Sequence, residues 1–134
     1  GAILVPVDYS EQSIVALEQA VGLSKVFNSE IHILNVISEE FSLTKLFDDA
    51  DKAAFEKRAK EKIAEFSKVK SEEYGVELKP VQVHGKIYEQ IAKTADIIDA
   101  QFIVMGTAGT STLKKKFIGS NALRVVMVLP SLLR

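Results

Sequence analysis

The sequence predicts a three-layer α/β sandwich, a parallel sheet with helices on both faces. Three observations carry this. Short apolar, β-branched runs alternate along the chain with helix-period segments, the pattern of parallel strands joined by right-handed crossovers. The first and fourth runs, Ile3-Leu4-Val5-Pro6-Val7 and Phe102-Ile103-Val104-Met105, are apolar without alternation, as strands covered on both faces are. The 134 residues contain no internal repeat, low-complexity tract or linker, so residues 1–134 are expected to form a single domain.

Each element has its own local reason. The first strand, Ile3 to Val7, is closed by Asp8-Tyr9-Ser10. Pro6 cannot donate to a ladder and is expected near the strand's exit. Ser10 is a good N-cap, and Glu11 suits the first turn of the helix it opens. Ile14, Leu17, Val21 and Ser24 to Val26 repeat at helical spacing as far as Asn28. Ile31 to Ile37 forms the second strand, and residues 38–47 are irregular. Asp48-Asp49 starts a long amphipathic helix with an apolar stripe of Phe55, Ala59, Ile63, Phe66 and Val69, stopped by Tyr74-Gly75. Val76 to Val83 alternates as a third strand, with Gly85 after it. Ile87, Ile91, Ala95 and Ile98 mark a third helix, and the fourth strand ends in Gly106-Thr107-Ala108-Gly109. After a polar, lysine-bearing loop, Gly119-Ser120 is expected to open a last helix through Val126. Met127 to Leu133 then reads as a fifth strand broken by Pro130.

Composition removes several function classes. Lys and Arg number 17 against 18 Asp and Glu, a net charge of −1 that argues against a nucleic-acid partner. Zero cysteines exclude a disulfide scaffold, a thiolate nucleophile and any Cys-ligated zinc or iron–sulfur site. No apolar run approaches the roughly 20 residues of a membrane span and no signal peptide is visible, so a cytoplasmic protein with no membrane partner is expected.

Open parallel sheets bind ligands beyond the carboxyl ends of their strands, where the chain order reverses. That rule directs attention to Asp8, Val36 and Gly106. The strongest local signal is Gly106-x2-Gly109-x9-Gly119-Ser120, in which three of the seven glycines fall within fourteen residues. Glycine lets a ligand approach backbone amides closely, and free amides at a helix N-terminus, with the Ser120 hydroxyl, favour phosphate. No GxxxxGK[ST] pattern occurs, and Gly106 and Gly109 do not complete GxGxxG. Tight turns and a helix cap are the alternative use of the same glycines.

These residues resemble the universal stress protein family over nearly the whole chain. Ile3-Leu4-Val5-Pro6-Val7-Asp8 with Ser10-Glu11 resembles its opening strand and turn, and Ile31-His32-Ile33-Leu34-Asn35-Val36 its second strand. Ile103-Val104-Met105-Gly106, continuing through Gly109 to Phe117-Ile118-Gly119-Ser120, is similar to the G-x2-G-x9-G-(S/T) signature of its nucleotide-binding branch. The resemblance implies a five-stranded parallel sheet of order 3-2-1-4-5 and a site for ATP, ADP or AMP, with or without Mg²⁺. It further implies that Asp8 accepts hydrogen bonds from ribose or adenine, with Pro6 and Val7 shaping the pocket. Val36 offers backbone groups and apolar contact to adenine, and Met105 and Gly106 line the ribose side. Gly109, Gly119, Ser120 and Asn121 present donors to the phosphates. A homodimer through the last strand is implied as well.

Other readings compete. Asp8 beside Ser10 could serve only to cap the first helix. Lys114, Lys115 and Lys116 can screen phosphate charge, although a charge run in a loop is usually solvated. Thr107, Thr110, Ser111 and Thr112 offer further hydroxyls. His32 and His84 have no carboxylate or serine at a catalytic spacing. A phospho-acceptor receiver domain also carries an Asp at a strand end, but the acidic pair it needs is missing beside Asp8. No constellation defines a catalyst, so any ATP hydrolysis is expected to be slow. The runner-up is a module of the same family that binds no nucleotide and acts by dimerisation or protein interaction. The intact glycine spacing favours nucleotide binding, and Ala108, where many members carry His or Arg, keeps the alternative open.

Overall fold

The structure, a computed structural model, describes residues 1–38, 48–106 and 124–128, the last as backbone only. Its elements run β1 (Ala2–Pro6), α1 (Glu11–Phe27), β2 (Glu30–Ser38), α2 (Asp49–Tyr74), β3 (Leu78–Gly85), α3 (Ile87–Ile97), β4 (Ala100–Gly106) and β5 (Arg124–Val128). Four strands lie in the order β3-β2-β1-β4, and the backbone of β5 pairs with β4 outside them. Every pairing is parallel. β1 therefore sits in the interior of the sheet, and Ile3, Leu4 and Val5 are buried from both faces, which is why that strand is apolar without alternation. Pro6 is tolerated because it is the strand's last residue. Pro80 is tolerated because β3 is an outer strand.

Helices cover both faces. Ala16, Leu17, Ala20 and Val21 of α1 and Ile63 of α2 pack with Ile3, Val5, Ile31 and Ile33 on one side. Ile91 and Ala95 of α3 pack with Leu4, Leu34, Ile103 and Met105 on the other. The helix ends follow their sequence signals. Ser10 caps α1 by accepting from Ser13 N at 3.2 Å, and Asn28 closes it in the left-handed conformation (φ 51°). Asp48 and Asp51 form a reciprocal capping box at the start of α2, and Gly75 (φ +67°) ends it.

Three expectations are corrected. The last helix, expected through Val126, is strand from Arg124 onward: the β-branched run Val125-Val126 joins the ladder beside Ile103 and Val104. The fifth strand consequently starts three residues before Met127. Residues 119–123 and 129–134 lie outside the described residues. In α2, Val69 is 51% exposed and Ser67 takes its place against the sheet, with its hydroxyl donating to Leu78 O. In α1, Val26 is 77% exposed, whereas the small residues Ser13, Ala16, Ala20 and Ser24 face inward and let the helix approach the sheet. No described helix is long and apolar enough to cross a membrane.

Candidate functional site

The β1–β2 ladder ends at the pair Pro6 and Leu34, and there the chain must leave the sheet without stranding its polar groups. Val7 N still donates to Leu34 O at 2.8 Å. Val7 O accepts from Asn35 Nδ2 at 3.0 Å, and Asn35 Oδ1 accepts from Gln82 Nε2 at 2.7 Å. A polar bridge thus takes over from the β1–β2 ladder and ties the β1 exit across β2 to Gln82 of β3, beside the β2–β3 ladder that continues to Ser38 and Gly85. The turn that follows passes through Tyr9, whose φ of 66° is unusual for a bulky residue.

Within that turn Asp8 Oδ1 accepts from Ser10 N at 2.9 Å, and Asp8 N donates to Ser13 Oγ at 3.4 Å. Ser13 Oγ in turn donates to Ser10 O at 2.9 Å. Ser10 is therefore the helix cap, and Asp8 orders the turn ahead of it without occupying the cap position. Burial raises the Asp8 carboxyl, but hydrogen bonds from Ser10 and Ser13 outweigh it and hold the group below the ordinary carboxylate value. Asp8 is an ionised acceptor at neutral pH. It suits hydroxyl or amine donors.

Beyond the ends of β1, β2 and β4 lies a cavity of about 180 Å³. Pro6, Val7, Asp8, Val36, Met105 and Gly106, six residues expected at a binding site, all line it. The other four, Gly109, Gly119, Ser120 and Asn121, lie outside the described residues, as does Ala108. Ser10, Gln12 and Ser13 add polar groups at the start of α1, and Leu34 and Ile91 add apolar wall. Ile87 and Tyr88, from the first turn of α3, were missed by the sequence reading. The signal that could have found them is the exit of β3, a strand end the same rule covers.

Gly106 is informative. Its backbone does not adopt a positive φ, and a Cβ there would stand 3.4 Å from Gln12 Oε1, an ordinary contact. Packing against the described residues therefore does not demand glycine at this position, whereas a ligand approaching the backbone would.

The histidines do not enter the cavity. His32 Nε2 lies 3.5 Å from Glu30 and His84 Nε2 lies 3.8 Å from Glu56. Among the described residues no group of three or more His, Asp or Glu could hold a metal ion. The arrangement can hold a small molecule with an apolar body and hydroxyl donors.

The model of the universal stress protein family matches residues 1–130. Universal stress protein MJ0577 of Methanocaldococcus jannaschii is 31% identical over 134 residues, covering 88% of this chain and 83% of that protein. The solved structure of MJ0577 superposes with a TM-score of 0.74 at 26% identity, over 97% of this chain and 96% of that one. Universal stress protein YxiE of Bacillus subtilis is 33% identical over 128 residues, covering 88% and 86% of the two chains. A universal stress protein from Archaeoglobus fulgidus in complex with dAMP shares the fold, with a TM-score of 0.66 at 19% identity over 94% and 95% of the two chains.

Proposed function

The chain belongs to the universal stress protein family, and from that premise we propose that it binds an adenine nucleotide and acts as a regulatory protein, not as a strong catalyst. One observation carries the reading: residues from three separate strand ends, Asp8, Val36, Met105 and Gly106, line a single cavity. The dAMP-bound relative lends chemical support. The residues also fit the group. Val36, Leu34 and Ile91 are apolar wall for a base, and the ionised Asp8 accepts from ribose hydroxyls. Gly106 leaves room for close approach.

The phosphate contacts are assigned to Gly109, Gly119, Ser120 and Asn121 on their sequence spacing and donor groups, these residues lying outside the described ones. ATP is the first candidate, with ADP or AMP using the same nucleoside contacts. Mg²⁺, when present, is held by the phosphates. Because Asp8 serves the nucleoside, no positioned base is assigned and hydrolysis is slow.

Calorimetric titration of ATP tests this. Asp8→Ala weakens binding by about 1–3 kcal/mol, the range of a hydrogen bond to a charged group. Gly119→Val removes binding while circular dichroism stays unchanged, since a branched side chain then stands where the anion meets the amides. A folded Gly119→Val that binds ATP like the parent overturns the phosphate assignment. Assembly follows from the same reading. Among the described residues β5 is the outer strand, paired only with β4, and pairing with a second copy would cover its other edge. Light scattering at micromolar concentration is expected to give twice the chain mass, and a monomer contradicts it.

A further inference from the structure

A second cavity, of about 390 Å³, opens at the C-terminal end of β2 between Tyr9 and the first half of α2. Its helical wall is Phe55, Arg58, Ala59 and Lys62, spaced i, i+3, i+4 and i+7 and so on one helix face. One turn further on, Ile63 and Ser67 are buried against the sheet. Phe55 and Ala59 are only half-buried, and two cations stand beside them. The sheet-facing side of α2 thus changes from a dry core contact to a positively charged, partly apolar hollow.

Among the described residues, neither Arg58 nor Lys62 has a carboxylate within ion-pair distance. Lys62 Nζ instead lies 4.1 Å from the centroid of the Tyr9 ring, a cation–π contact. Tyr9 is held there by its left-handed backbone and by edge-on packing against Phe66 at 5.2 Å. Ile37 supplies an apolar floor, whereas the Val36 side chain packs on the opposite face of the sheet and Val36 borders both cavities.

We propose that this cavity is a separate binding site for a small organic anion with a flat apolar body, of the aryl carboxylate class. The anionic group sits between Arg58 and Lys62, and the ring lies among Tyr9, Ile37 and Phe55. Charge complementarity selects the anion. The apolar lining selects the body.

The probe is 2-naphthoate, titrated into the ¹⁵N-labelled chain at pH 7 alongside neutral 2-naphthylmethanol and inorganic phosphate. Saturable amide shifts are expected at Tyr9, Asn35 to Ser38 and Phe55 to Lys62, with Ile87 to Ile91 unmoved. The neutral analogue and phosphate should each bind at least roughly tenfold more weakly, the size of one charge-assisted hydrogen bond. The double variant Arg58→Gln/Lys62→Gln should weaken naphthoate by at least as much, with circular dichroism and any AMP titration unchanged. Equal affinity for the neutral analogue or for phosphate overturns the proposal. So do shifts centred on Ile87 to Ile91, an unaffected double variant, or no saturation by about 5 mM.

Discussion

Asn35→Leu is the substitution that most directly probes how the binding end of the sheet is built. The amide side chain makes two hydrogen bonds, to Val7 O at 3.0 Å and from Gln82 Nε2 at 2.7 Å. Each is worth about 1 kcal/mol net, and Val7, which is 4% exposed, keeps a carbonyl that water reaches poorly once Asn35 is gone. Leucine returns part of this through apolar contact in a half-buried position, so the expected net cost is about 2 kcal/mol. For a chain of this size that lowers Tm by about 8 °C. Gln82→Leu alone should cost only about 1 kcal/mol, because Asn35 still holds Val7. The double variant should cost no more than Asn35→Leu, since the bond between the two side chains is counted once. Urea unfolding followed by circular dichroism measures all three. A cost for Asn35→Leu within about 0.5 kcal/mol of zero, or strictly additive costs, refutes the bridge as the element that holds the β1 exit.

Ser67→Ala should destabilise by about 1–3 kcal/mol in the same assay, because Leu78 O loses the buried hydroxyl donor; a neutral result would mean that the carbonyl finds another partner. Asp8 gives a pH signature. Its carboxyl is held below the ordinary value, so the stabilisation from its bonds to Ser10 and Ser13 is present at neutral pH and lost as pH falls through the folded-state value. Adenosine has no phosphate to titrate, so its affinity should stay flat across neutral pH. It should decline only as the pH falls through the lowered carboxyl value of Asp8, where protonation of the adenine ring adds to the loss. Asp8→Ala should reduce that decline to the part set by the ring, and a decline unchanged in the variant would assign it to groups other than Asp8.

Asp8, Val36 and Gly106 were legible from one topological rule applied to three strand exits, and the structure brings them to one cavity. Ile87 and Tyr88 were not, because the rule was followed at the exits of the first, second and fourth strands and not at the third. β3, expected over Val76 to Val83, ends at Gly85, and the first turn of α3 follows it directly. Side-chain chemistry hid the true face of α2. Ser67 lies four residues beyond Ile63 and faces the sheet, but a hydroxyl is invisible to an apolar pattern until Leu78 O is found to accept from it. At the other end of the chain, the glycine–serine pair argued for a helix through Val126. Register beside β4 decided instead for strand, a tertiary effect that local propensity does not carry. The loop bearing Gly109, Gly119, Ser120 and Asn121 stands on its sequence spacing.

Titration of AMP into the ¹⁵N-labelled protein tests the central claim most directly, because it asks both whether the nucleotide binds and where. The account predicts saturable one-site shifts at Val7, Asp8, Val36, Tyr88 and Gly106, all at the first cavity. Absence of saturable shifts up to about 5 mM, or shifts confined to Arg58 through Lys62, would contradict it.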